Sequence, residues 1–441
     1  MTRADRGRTV VVLAVALAVV GLVVTVWRPV APTAPGGAVE LARFDPAVLA
    51  TIREYRAPRQ VVALVATALQ VLVPLAVAWT PLGRRWLRRL AGPRAHAPVR
   101  AGLSTAGVAV LVSVATLPLS AWSALVHEER WDLRVRSTTG WLRDWLVASS
   151  GRWLLLGVAV TVVAWAAHRW PRTWPYRLTL ATTAATAVFV LVHPLLIQPL
   201  LLPTEPLPDG PVRDAVEEVL TIAGHEGAPI VVGQASLRTT RANALVTGLG
   251  PTERVVLYDT LLEVPTDRLA GIVAHELAHQ EHGDLWRGAL GSATLALPLL
   301  LGLRRLLGRA AARGGDIRGR TDPRLAALVV AAVVLVELAT SPLVSAVSRR
   351  LEAAADHRAV VWTQDAGSLV RTVRAFVVRD LADPDPPRWA HLLWGTHPTP
   401  DQRIRAAVAT AEQLGVEVPT LAEVMAEEAD LAHPRLVDAD R

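Results

Sequence analysis

Two histidines four residues apart, with a glutamate directly after the first, occur at His275, Glu276 and His279 in the run HELAH. Residues four apart on an α-helix share a face, about 40° apart around the axis. Their imidazoles can grip one ion, and neutral nitrogen ligands suit zinc, which in enzymes keeps one position open for water. Glu276 is placed to take that water's proton. Such a centre needs a third protein ligand. Glu352, in SRRLEAAAD, is the strongest candidate, and Asp356 lies four residues on, on the same helical face. That spacing suits one carboxylate on the metal and a second that either orients a histidine ligand or assists proton transfer. His397, in WGTHPTPDQRI, is a candidate donor to the oxyanion that develops on a cleaved carbonyl. The expected cofactor is one Zn2+ per chain, and the expected chemistry is hydrolysis by activated water. His282 lies three residues past His279 and could also face the site, but Glu352 is the better third ligand.

These residues stand in a chain built for lipid. Of its 441 residues 52% are hydrophobic, and mean hydropathy is +0.34, too apolar for a soluble protein of this size. There is no cysteine, which excludes disulfides, thiolate zinc sites and cysteine nucleophiles. Every basic residue is arginine, and the net charge of +7 is spread over short loops between apolar runs. That pattern reads as membrane-flanking charge, with no nucleic-acid partner. Fifteen tryptophans against three tyrosines and three phenylalanines suit membrane interfaces.

Apolar runs long enough to cross about 30 Å of hydrocarbon fall at residues 9–27, 60–80, 101–126, 153–167, 178–202, 288–303 and 325–347, the fifth broken by Pro194 and Pro199. The first reads as an uncleaved anchor, and residues 29–37 as a loop outside the membrane. His127, Glu128 and Glu129, just past the third run, are expected at the interface. The expected organisation has four parts: a membrane region over 1–202 with about five spans, an inserted catalytic domain over 203–287, two further spans over 288–347, and a C-terminal helical part over 348–441. Within the insert, residues 210–223 have helical periodicity, 229–232 and 254–258 look like strands, and 266–285 reads as a helix with Thr266 as its N-cap. Residues 420–441 are acidic-rich and expected at the periphery. The fold class is therefore mainly α: a polytopic bundle of about seven spans with an inserted zincin-like α+β domain.

With those motifs in place, the chain resembles the type I CAAX prenyl endopeptidase family, integral-membrane zinc metallopeptidases of gluzincin type related to the HtpX-type proteases. The likeness rests on LPLSAWSALVHEERW, HPLLIQPLL, LRTTRANALVTGLGPTERVVLYDTLLE, HELAH, SRRLEAAAD and HPTPDQRI, in that order between about Leu117 and Ala407. It implies His275, His279 and Glu352 as zinc ligands, Glu276 as catalytic base and Asp356 as a second acidic catalytic residue. It further implies that Asn243 and Ala244 lie on a strand pairing with an extended substrate, that His397 touches substrate, and that Arg403 is structural near the site. After HELAH the chain reads QEHGD, unlike the eukaryotic members, and no feature reads a prenyl group. The expected substrate is therefore a peptide or a membrane-associated protein. HtpX-like quality control of membrane proteins is an alternative, disfavoured by five spans before HELAH. A catalytically silent membrane scaffold is disfavoured by the intact His275, Glu276, His279 and Glu352 set.

Arginines cluster at Arg3, Arg6 and Arg8, between the second and third runs, and between the sixth and seventh. With seven spans all three groups share one side. The positive-inside rule makes that side cytoplasmic, which turns the catalytic insert outward from a plasma membrane of bacterial type, whereas the family resemblance implies the cytosolic side, where the eukaryotic members carry it.

Overall fold

The computed structural model describes residues 40–90, 96–237, 239, 242–312, 324–428 and 433–437. The expected span at 9–27 and the loop at 29–37 lie outside the described residues. The N-terminal half is helical: α1 (Pro46–Trp79), α2 (Pro81–Leu90), α3 (Ala97–Ala121), α4 (Thr138–Arg169) and α5 (Trp174–Val192). Then follow β1 (Thr204–Pro206), α6 (Pro211–Ala223), β2 (Ile230–Gly233), β3 (Ala244–Thr247), β4 (Arg254–Tyr258) and α7 (Thr266–Glu281). Two long helices, α8 (Asp284–Ala312) and α9 (Arg324–Thr363), precede α10 (Ala366–Val378), α11 (Arg388–Trp394), α12 (Pro400–Leu414) and α13 (Leu421–Glu428). Among the described residues, six helices are long and apolar enough to cross a membrane: Pro46–Trp79, Ala97–Arg130, Thr138–Arg169, Trp174–Leu196, Asp284–Arg305 and Arg324–Thr363. They coincide with the second to seventh expected runs.

Two differences from the sequence reading have local causes. The fourth span begins fifteen residues before the apolar run (138 against 153), because Ser137 caps it by accepting from the Gly140 amide. Pro194 does not break the fifth run: the chain passes through a π-helical turn at His193–Ile197, one of the few local geometries that absorbs a missing helix donor.

The described chain divides into two compact units. The first, from residues 59–186 and 289–340, packs Val77, Leu87, Val108, Val112 and Ala327 into one core, and Ala166, Trp174 and Leu178 with Leu300 and Leu303 into another. Trp153 Nε1 donates to Ser113 Oγ at 2.9 Å, tying α4 to α3. His127, expected at an interface, is instead 2% exposed, its ring 5.0 Å from that of Trp122, and Glu128 pairs with Arg59.

The second unit, from residues 40–58, 187–288 and 341–437, holds a four-stranded sheet in the order β1-β2-β4-β3. β2 runs parallel to β4, while β1 and β3 pair antiparallel with their neighbours. β3 is therefore an edge strand. Val216 and Leu220 of α6, Val255 and Leu257 of β4, and Leu269, Val273 and Leu277 of α7 form the main core. Residues 420–441, expected at the periphery, are drawn inward where described. Val424 is 1% exposed, Glu428 Oε2 accepts from Arg374 Nη2 at 2.9 Å, and Glu427 pairs with buried Arg268. Two arginines with almost no solvent access need those carboxylates.

Candidate active site

The HELAH helix, α7, begins at Thr266 itself; Pro265 holds the N-cap position, with no side-chain cap. Proline suits the first turn because it has no amide to leave unpaired. Leu269, Val273, Ala274, Leu277 and Ala278 are buried on one face. The intervening face carries His275, Glu276 and His279, each partly accessible. Glu352 and Asp356 arrive one helical turn apart on α9.

The three expected ligands converge. His275 Nε2 lies 3.2 Å from His279 Nε2 and 3.2 Å from Glu352 Oε2, and His279 Nε2 lies 3.7 Å from Glu352 Oε1. Tetrahedral ligands at about 2.0–2.1 Å from an ion stand about 3.3 Å apart. The donor set therefore fits one small divalent ion. Glu352 Oε2 is buried without a well-aligned hydrogen bond, as an oxygen reserved for a metal is. His275, His279 and Glu352 are the metal-capable cluster among the described residues. His282 is not part of it and sits at the C-cap of α7.

Behind each histidine stands a carboxylate. His275 Nδ1 is 2.9 Å from Asp356 Oδ1. Asp356, 2% exposed, accepts from Arg403 Nε and Nη2 at 2.7 Å each. His279 Nδ1 is 2.7 Å from Asp284 Oδ2. Asp284 has no assigned role in the sequence reading. The chain reverses at Gly283, whose φ of +63° favours glycine, and this turn brings Asp284 back beneath its ligand. Burial alone would lower the His275 pKa, but Asp356 and Glu352 outweigh it and push it up to about 10 in the metal-free site. Burial raises the Glu276 pKa above the usual glutamate value, against the pull of His275 and His279.

A cavity of about 190 Å³ opens beside these residues, lined among others by Glu276, His275, His397, Asn243 and Arg403. His397 is 58% exposed, with Nδ1 2.8 Å from Glu352 Oε2. Asn243 is exposed at the start of β3; its carbonyl accepts from the Tyr258 amide, and Ala244 pairs with Leu257. The nine residues that the sequence assigns to the site thus fall in one unit; six of them (His275, His279, Glu352, Asp356, His397 and Arg403) form one linked cluster, and Glu276 lines the cavity beside it.

Comparison with known proteins agrees with this geometry. The model of peptidase family M48 matches residues 206–411, and that of the CAAX prenyl protease N-terminal region, described as five membrane helices, matches residues 38–202. An uncharacterized metalloprotease of Bacillus subtilis, YhfN, is 24% identical over 68% of this chain and 71% of its own length. CAAX prenyl protease 1 homolog of Arabidopsis thaliana is 28% identical over 40% of this chain and 42% of its own length. The crystal structure of S. mikatae Ste24p shares the fold with a TM-score of 0.71 at 17% identity, covering 91% of this chain and 98% of that one. The family implies a bound metal ion and a peptide or protein substrate, and the chain, an integral multi-pass membrane metallopeptidase, belongs to peptidase family M48.

Proposed function

We propose that the protein is a zinc-dependent endopeptidase that cleaves peptides or membrane-associated proteins at a membrane boundary. The observation that carries this reading is the spacing of His275, His279 and Glu352, with Glu276 on the wall of the same cavity. A bound zinc ion supplies Lewis acidity and lowers the pKa of a water it holds to around 7.

The chain's own residues do the rest. Glu276 takes the water's proton and returns it to the leaving amine; its raised pKa keeps it a capable acid for the second step. Asp356 and Asp284 orient the imidazoles of His275 and His279 so that each turns Nε2 inward. Both Asp356 oxygens are engaged deep behind His275, which supports an orienting role over proton donation. Arg403 holds Asp356 in place. His397 donates to the substrate oxygen that gains charge. The open edge of β3, entered at Asn243 and Ala244, pairs with an extended substrate.

Purified protein should hold one zinc per chain, and Glu276→Gln should keep the metal and lose cleavage. Zinc-free protein, or unchanged cleavage in that variant, overturns the mechanism. The arginine distribution supports an outward-facing catalytic unit in a bacterial-type plasma membrane. A cytoplasm-dependent reporter fused at the C-terminus should be silent, and its activity would reverse that orientation.

A further inference from the structure

Threonines inside helices of this chain usually bond back one turn: Thr105 Oγ1 donates to the Ala101 carbonyl, Thr161 to Gly157, Thr363 to Ala359 and Thr410 to Ala406. Thr372, on α10, does not. It is 7% exposed, and its buried Oγ1 has no hydrogen-bond partner. A buried hydroxyl left unpaired costs roughly 1–3 kcal/mol, and a valine of the same shape would avoid that cost. Such an orphan in a native chain calls for a reason.

The reason lies in what Thr372 faces. It lines the cavity that also exposes Glu276. Leu369 and Phe376, three residues before and four after, share its helical face and form apolar walls with Ile272 and Ala242. At Gly271, another lining residue, a Cβ would run into Ser368 Oγ. That hydroxyl donates to the Asp267 carbonyl at 2.9 Å, so α7 and α10 meet in a fixed register. At about 190 Å³ the cavity exceeds the roughly 150 Å³ that accepts benzene, yet falls below the 300 Å³ or so where sites for drug-sized ligands begin. It suits one side chain. A charged tip would lose its water against Leu369, Phe376 and Ile272, and the Arg403 guanidinium is already paired with Asp356.

We infer that this cavity receives the substrate side chain adjoining the cleaved bond, and that Thr372 selects an uncharged side chain carrying a hydrogen-bonding group, such as glutamine, over an apolar one of equal size. The inference rests on the peptidase reading above. Its principle is general: a site built to hydrogen-bond a substrate group rejects the analogue lacking it, because the site's own polar atom is then left unpaired.

The test uses full-length, zinc-loaded protein in detergent and a peptide whose cleavage point is mapped by mass spectrometry. Each residue flanking that bond is varied in turn to Gln, Met, Glu and Trp. At one of the two positions kcat/KM for Gln should exceed that for Met and Glu at least tenfold. Thr372→Val should collapse the Gln-to-Met ratio at that position, and Thr372→Ser should retain it. The same ratio should appear in calorimetric binding of the peptides to the Glu276→Gln protein. If the wild type cleaves with a Gln-to-Met ratio that Thr372→Val leaves unchanged, or shows no such preference, the inference falls and the peptidase reading stands. If zinc-loaded wild type cleaves no peptide at all, both fall.

Discussion

Removing Asp356 should damage two properties that a second substitution can separate. Its carboxylate accepts two Arg403 donors at 2.7 Å and lies 2.9 Å from His275 Nδ1, and the residue is 2% exposed. In Asp356→Ala the Arg403 guanidinium stays buried without its anion. Breaking a buried pair from one side costs about 3–5 kcal/mol. The same change frees His275 from its orienting partner, and loss of such an outer partner weakens metal binding about 10–100-fold, or about 1.4–2.7 kcal/mol. Adding Arg403→Leu removes the stranded charge and refills part of the space, so most of the stability loss should be reversed. It does nothing for His275, so zinc affinity should stay low. Thermal unfolding of metal-stripped protein in detergent reads the first property, and chelator competition reads the second. If the double variant unfolds no later than Asp356→Ala, Arg403 was not stranded. If it recovers zinc affinity, Asp356 does not act through His275, and the orienting role assigned to it is wrong.

Asp284→Ala should weaken zinc binding by a similar 10–100-fold with a smaller unfolding shift than that of Asp356→Ala, because the Asp284 side chain keeps more access to water, 12% against 3%; equal unfolding losses in the two variants would refute this. In the metal-free protein the His275 pKa is raised to about 10, so its protonated form contributes stability that is fully present below about 6.5 and lost as pH rises through 10. Metal must displace that proton. Zinc affinity should therefore climb with pH across this window, and calorimetry at pH 8 in buffers of different ionisation enthalpy should detect about one proton released from His275; zero release would refute the raised value.

What the sequence could disclose follows the range of the signal. His275 and His279 are legible because helical periodicity is local and the ion they share is demanding. Glu352 is legible by elimination, as a carboxylate with a same-face partner at the end of an apolar run. The strands at 229–232 and 254–258 announce themselves through β-branched and aliphatic runs, and nearly coincide with β2 and β4. β1 has three residues and β3 four, too few for a period-2 pattern to stand out; only the family likeness at Asn243 and Ala244 points to β3. Asp284 is hidden for another reason. Its role depends on the reversal at Gly283, and an aspartate after a glycine at a helix start reads equally well as a cap. Glu427 and Glu428 look like a solvated acidic tail until the buried guanidinium groups of Arg268 and Arg374 are located.

Thr372 marks where legibility ends and why. Its neighbours Leu369 and Phe376 read as the apolar face of a core helix, and a threonine among them reads as a tolerated polar substitution. Its distinction emerges only when α10 is docked on α7, by Ser368 on the Asp267 carbonyl and Arg371 on the Asp267 carboxylate. Asp267, in the first turn of α7, thereby anchors the helix that walls a cavity further along α7. The reaction and the selection of substrate thus depend on different kinds of information. The first is written in residues four apart on one helix. The second is written in how a neighbouring helix is held against it, so relatives that keep HELAH can change the side chain they accept through α10 alone.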